Sequence, residues 1–196
     1  MHLNSLSFFR TIVASVVATC ATGPLNAEPV VHVGSSKYSI HGQSAFVLGA
    51  EMKRKGPVAA DGNRHPARTK WDFQWRFKKL DSGRDCSVES ALVSLGVTHT
   101  RPIWRGEKEG TKELRERWAT FLRNLDQIEK KQEKIARDAA SEAERVITSI
   151  PTQSDCDALQ ALIDREARAI KDKYLERKRR YEEETDFGRA EGLLLM

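Results

Sequence analysis

Glu129 stands inside the run I-E-K-K-Q, Ile128 to Gln132, within a stretch that has the apolar rhythm of a long helix. Imidazoles at the first and last of these positions would lie one helical turn apart and could share a metal ion. The Glu between them would then activate a metal-bound water. Here the first position is Ile and the last is Gln, so the acid is present without the donors. The histidines after residue 27 are His32, His41, His65 and His99, far apart in predicted strands and loops, and a relocated metal site built from them is the less favoured reading. Glu133 follows Glu129 by one turn, and two carboxylates that close can share a proton and act directly. That spacing occurs in any charged helix. Glu182-Glu183-Glu184 with Asp186 offers oxygen ligands for a hard cation such as calcium, although at helical spacing these acids read first as a solvated face.

The elements that must position these groups change character along the chain. Glu28 to His41 alternates apolar and polar residues and closes on Y-S-I-H-G, a strand ending at a Gly turn. Gln43 to Lys55 reads as a short helix stopped by Gly56-Pro57. Trp71, Phe73, Trp75 and Phe77 alternate with polar residues, which places four aromatics on one face of a strand. Such a stripe could be a platform for glycan or single-stranded nucleic acid, but it is more often the core face of an antiparallel sheet. Cys86 to Thr100 supplies a hairpin partner, and Pro102-Ile103-Trp104 is expected to break it.

From Thr111 to Ile150 apolar residues recur every three or four positions, the pattern of a long amphipathic helix, and Pro151 ends it. A second helix begins near Ser154 or Asp155 and runs past Tyr181. With so short a connection the two must fold back on each other. The expected fold is α+β: a small antiparallel sheet with one short helix, joined to a long antiparallel helical hairpin. Gln132 falls on the inward face of the first long helix, where a packing helix prefers Leu or Ala.

The first 27 residues carry one Arg, no acid, an apolar run from Thr11 to Ala18 and then small residues. This is the layout of a secretory signal peptide, with cleavage placed after Ala27. V-A-T-C, ending at Cys20, has the outline of a lipoprotein box, but Thr before the Cys departs from it, so lipidation there is the less favoured reading. The expected organisation is a signal peptide at 1–27 and one domain at 28–196, strand-rich over 28–106 and helical over 107–196. The expected location is the periplasm or the medium, with no transmembrane domain after signal removal. Cys86 and Cys156 then remain as an even pair in an oxidising compartment and are expected to form a disulfide. The formal charge of +5 falls to about +4 without Arg10. Such a balance allows an anionic envelope partner, while interleaved acids disfavour nucleic acid.

Several stretches together resemble a bacterial family of predicted secreted zinc-dependent proteases, a zincin-like group. They are Y-S-I-H-G; Gly56-Pro57; Thr69, Trp71 and Trp75; the Cys86 strand; Pro102 with Trp104; the I-A run from Ile135; Cys156; and the closing Y-E-E-E-T-D-F-G from Tyr181. The resemblance covers most of the chain after residue 27. It implies zinc ligands at Ile128, Gln132 and Phe187, a general base at Glu129, and a frame of Tyr181, Thr185 and Gly188 around the third ligand. None of the three ligand positions holds an imidazole. Without a bound metal, water keeps a pKa of about 16 rather than about 7, and Glu129 has no activated nucleophile.

The resemblance therefore implies a zincin-like fold that has lost its zinc. Ile128 and Phe187 are expected to fill the vacated space, and Glu129 to face solvent or pair with a neighbouring Lys. The expected function is a secreted, non-catalytic envelope binding or scaffold protein without a cofactor, whose partner is a polypeptide or an anionic envelope component. The alternative is a hydrolase using a relocated metal or carboxylates that include Glu129.

Overall fold

Alternation along the chain builds the sheet, and a shift to three-and-four spacing builds the helices. The computed structural model describes residues 29–195, so the expected signal peptide and Cys20 lie outside the described residues. The order is β1 (Val30–His41), α1 (Ala45–Lys55), β2 (Arg68–Asp81), β3 (Cys86–Arg105), α2 (Lys112–Thr148) and α3 (Cys156–Glu184). The architecture is α+β, as expected.

The sheet differs from the expectation in one respect: it is mixed, not purely antiparallel. Its order is β1-β3-β2, with β2 antiparallel and β1 parallel to β3. The α1 segment reverses the chain between β1 and β2, and the hairpin reverses it again, so β3 returns in the direction of β1. Pro102 does not end β3, which continues to Arg105. Beyond Thr100 the strand has outrun β2 and pairs only with β1, with Pro102 opposite Tyr38. An edge of this kind tolerates the missing N–H. Near the hairpin Lys78 pairs with Ser90 but Lys79 with Val88, so Glu89 is an extra residue on β3. That bulge lets Val88 and Ala91, three apart, both turn towards the core.

The three helices start on side-chain caps. Ser44 accepts from Val47 N, Thr111 from Leu114 N, and Asp155 from Ala158 N at 2.7 Å. Beyond α1, the chain turns at Gly56 against the backbone of the next loop. A Cβ there would stand 2.2 Å from His65 O, so only glycine fits.

Two apolar clusters hold the layers together. In the first, Phe73, Val93, Leu95 and Val97 of the sheet meet Ala136, Ala139, Ala140 and Ala143 of α2 and Leu159, Ile163 and Ala167 of α3. The alanines let the long helices approach closely, and the aromatic stripe turns to this core, as the commoner reading of it required. The second joins Ile40, Leu48 and Met52 to Trp104, Trp118, Phe121 and Leu125. Trp118 stacks on Phe121 with ring centres 5.2 Å apart and meets the edge of Trp104 at 6.1 Å. Each fully buried side chain of this size contributes about 1.5–3 kcal/mol.

Cys86 and Cys156 form a disulfide that ties the start of β3 to the start of α3 across 70 residues. Beside it, Cys86 and Gln153 exchange two backbone hydrogen bonds of 2.9 and 2.8 Å. A closed loop of this length constrains the unfolded chain by about 4 kcal/mol in the chain-entropy account. Replacing both cysteines by Ser should lower the stability from urea unfolding by 2–5 kcal/mol, roughly the cost of losing a native disulfide. An unchanged midpoint would show that the bond adds nothing to a fold already closed by its core.

Candidate functional site

The residues singled out around Glu129 come together. Leu125, Ile128, Glu129 and Gln132 from one face of α2 meet Ala67, Arg68 and Thr69 at the entrance to β2. Glu182 at the end of α3 and Thr185, Phe187, Gly188 and Leu193 of the tail complete a cavity of about 30 Å³. Tyr181, expected in the frame of the site, is not among the lining residues and donates to Glu191 Oε2 at 2.8 Å.

The tail reaches this place through a tight left-handed turn. Asp186 and Phe187 have φ of 49° and 52°, and Gly188 has 89°. For a bulky residue such a conformation costs about 1–2 kcal/mol. It is held by Phe187 N donating to Glu182 O at 2.6 Å and by Thr185 Oγ1 donating to Tyr181 O at 2.7 Å. The Phe187 ring stacks on His65, with centres 3.9 Å apart. Asp61 anchors that imidazole at 2.9 Å, and its own carboxyl is pulled down to about 2 by hydrogen bonds from Asn63 and then His65. Gly188 cannot be replaced without cost: beyond its φ, a Cβ would stand 2.7 Å from Ile128 Cδ1.

Ile128 and Phe187 thus carry hydrocarbon to the positions where the resemblance implied ligands, and Gln132 carries an amide. The Gln132 Nε2 donates to Glu182 Oε1 at 3.3 Å. This donor set does not fit zinc, which takes imidazole, thiolate or carboxylate in a tetrahedron. The four imidazoles do not converge either. His32 and His41 are exposed along β1, His65 is stacked on Phe187, and His99 is buried on β3. Among the described residues no group of three or more His, Cys, Asp or Glu is arranged around a metal position. The acids at the end of α3 have basic partners: Lys178 for Glu182, Arg179 for Glu183, and Arg189 for Asp186.

Glu129 itself corrects an expectation. It neither faces solvent nor pairs with Lys; it is 7% exposed, and Arg101 of β3 approaches its Oε2 at 3.1 Å. Arg101 also binds Asp126, so one guanidinium serves two carboxylates. Glu133 has its own partner. His99 Nε2 lies 3.0 Å from Glu133 Oε1, and His99 Nδ1 lies 2.9 Å from Thr69 Oγ1. The two glutamates therefore each engage a different basic group. Thr69, His99 and Glu133 form a hydroxyl–imidazole–carboxylate line, and with Thr69 only 4% exposed the line suits a brace between β2, β3 and α2.

Arg101, Asp126 and this brace escaped the reading of the sequence. Their signal is two periods in opposition: Asp126, Glu129 and Glu133 share one face of α2, while His99 and Arg101 share one face of β3. Neither period is informative until the two elements are known to pack.

A second space adjoins the first. A cleft of about 440 Å³ runs between β2 and α3, lined by Lys70, Trp71, Asp172, Leu175, Glu176, Lys178 and Arg179, with Ala60 at one end. Arg68, Thr69 and Glu182 line both spaces. The family model described as "Bacterial protein of unknown function (DUF922)" matches residues 35–188, from within β1 to Gly188. The chain belongs to that family. No curated protein and no solved structure matches it. The DUF922 match takes in the cavity wall except Leu193, and the family description names no activity.

Burial raises the Glu129 carboxyl above its ordinary value of 4.5; His99 and Arg101 oppose the shift, and Asp126 and Glu133 add to it. A raised folded-state pKa means that the folded protein holds this proton more tightly than the unfolded chain. Its destabilisation is absent below about 4.5 and grows as pH rises through the folded pKa. Urea unfolding of wild type and Glu129→Gln across pH 4 to 8 should show the variant gaining on wild type as pH rises. A gap that instead widens towards acid would mean that Arg101 outweighs burial.

Proposed function

We propose that this DUF922 protein is a non-catalytic polypeptide-binding protein of the bacterial envelope. The observation that carries the reading is the cleft between β2 and α3. Because β2 ends the sheet, the outer backbone groups of Arg68–Asp81 have no strand partner. An extended polypeptide can add to such an edge through main-chain hydrogen bonds, with side-chain pockets supplying selectivity. The cleft volume is in the range of ligand sites, roughly 300–1,000 Å³. Leu175 leaves an apolar surface 39% exposed on its wall.

A polypeptide is favoured over an anionic polymer by how the cleft's charges are spent. Of the cations on its wall, Lys178 is paired with Glu182 and Arg179 with Glu176 and Glu183, while Lys70 and Arg68 share the wall with Asp172. An anionic polymer would need those cations free. The donor set at Ile128, Gln132 and Phe187 supports the non-catalytic part, because hydrocarbon and one amide cannot ready a metal-bound water for Glu129. The Cys86–Cys156 bond is compatible with an oxidising compartment, and no helix of the described residues is long and apolar enough to cross a membrane.

A phage library of unstructured peptides, panned on the immobilised protein, supplies the probe. The selected peptides should bind Leu175→Asp about tenfold more weakly than wild type, a loss of about 1.4 kcal/mol. The melting temperature should stay within a degree or two, as surface changes usually leave stability within about 0.5 kcal/mol. Peptides indifferent to Leu175→Asp would remove the cleft from the account. One equivalent of tightly held zinc by elemental analysis, with peptide hydrolysis that depends on Glu129, would overturn the non-catalytic reading.

A further inference from the structure

The strand that borders the cleft carries a different chemistry on each face. Towards the helices β2 presents Trp71, Phe73 and Trp75, and Leu175 of α3 adds an exposed apolar surface on the same side. On the opposite face it presents Lys70, Asp72, Gln74, Arg76 and Lys78, all exposed. Asp72 accepts from Gln74 Nε2 at 3.0 Å, whereas Lys70, Arg76 and Lys78 have no ion-pair partner among the described residues. Arg68, at the start of this row, donates through Nη1 to Val58 O. The β3 residues paired with Lys70 to Lys78 on that face are Thr98, Gly96, Ser94, Leu92 and Ser90, none of them charged. Three cations and one acid therefore stand along an open face that the next strand does not neutralise.

Inside the cleft the balance is the reverse. Lys178 and Arg179 are spent on Glu182, Glu176 and Glu183, while Asp172 has no ion-pair partner among the described residues. An extended chain lying along β2 points successive side chains to opposite faces. One set would turn to Trp71 and Leu175, the other to Lys70 and Arg76. Opposite charges side by side on neighbouring strands stabilise the pairing, and like charges weaken it. A uniformly anionic polymer would suit the open face but would also set charge against the apolar one, beside Asp172. A second copy of β2 would oppose one net-positive row with another.

We infer that the polypeptide taken up by this edge alternates acidic and apolar residues. Its acids lie beside Lys70 and Arg76 on the open face, and its apolar side chains lie against Trp71 and Leu175. This rests on the function proposed above and names the class of sequence that the cleft selects. Main-chain pairing alone would hold any extended segment. The two faces of β2 add the choice of register, because a slip of one residue would turn every acid into the cleft. Nine extended residues span about 30 Å, the run from Arg68 to Arg76.

The test uses fluorescein-labelled, amidated nine-residue peptides in which valine alternates with glutamate, lysine or glutamine. A further peptide has the glutamate composition with its acids and valines in two blocks. Binding is read by fluorescence anisotropy at low salt, where exposed charges are least screened. The alternating glutamate peptide should bind wild type at least about tenfold more tightly than the lysine peptide, with the glutamine peptide between them. The block peptide should bind more weakly than the alternating one. Arg76→Gln should cut the lead of the glutamate peptide roughly threefold. The double variant Lys70→Glu with Arg76→Glu should reverse the order of the glutamate and lysine peptides, a gain for one that misfolding cannot produce. No measurable binding of the glutamate peptide, equal binding of the glutamate and lysine peptides or of the block and alternating ones, or an order unchanged in the double variant overturns the inference. The two readings fail separately. Library peptides that depend on Leu175 but bind without acidic alternation would sink this inference and keep the cleft. A glutamate peptide that follows the charge swap yet ignores Leu175→Asp would keep the charge pairing on β2 and remove the cleft.

Discussion

The inward face of β3 is the constraint on which the rest depends. Along one alternating row it presents Ala91, Val93, Leu95 and Val97, and then His99 and Arg101. The first four anchor the helical hairpin by excluding water. The last two present a polar surface to the same helix, so α2 must change character along its length. It does: from Ala136 to Ile147 its buried side chains are apolar apart from Glu144, while Asp126, Glu129 and Glu133 meet the second part. Buried ions are tolerated only when paired, since the desolvation of a single charge amounts to several kcal/mol. Sliding α2 by one turn would set carboxylates against valines and alanines against Arg101. The ion pairs therefore fix register more than they add stability.

The tail closes the polar end of this interface at a local cost. Phe187 is held in a backbone conformation that bulky residues avoid. Its stacking on His65 offsets part of that strain and joins the tail to the loop before β2. That loop is fixed in turn by Arg64 donating to Gly56 O at 2.6 Å and by the Asp61 bond to His65. Loop, strand entrance and tail thus support one another, although they are far apart in the chain, and the cavity exists because all three meet α2 at one level.

What the sequence made legible were features written in a single element. The stripe Trp71, Phe73, Trp75, Phe77 has a period of two and lies in a strand. The three-and-four spacing from Leu114 to Ala143 lies in a helix, and Asp155 caps the next. The convergence of Ile128, Gln132 and Phe187 came from a resemblance, for no local pattern links α2 to a tail some 55 residues later. The features that were misread all depend on a partner element. Pro102 breaks a strand only if neighbours flank it on both sides, and here β2 has ended. The direction of β1 depends on how many times the chain reverses before β3. The expectation that Glu129 faces solvent or Lys fails because the cation that meets it lies 28 positions upstream, on a different element.

Glu129 also shows what a carboxylate demands of a buried space. Hydrocarbon fills such a space at little cost, and Ile128 and Phe187 both line it. A carboxylate in the same space cannot be filled over; it must be paired, protonated or exposed. Arg101 Nη2 meets Glu129 Oε2 and Asp126, while Glu129 Oε1 and Arg101 Nε are both buried without a hydrogen-bond partner. With one oxygen paired and the other buried, protonation is the relief that remains, and it is the direction in which burial moves this carboxyl.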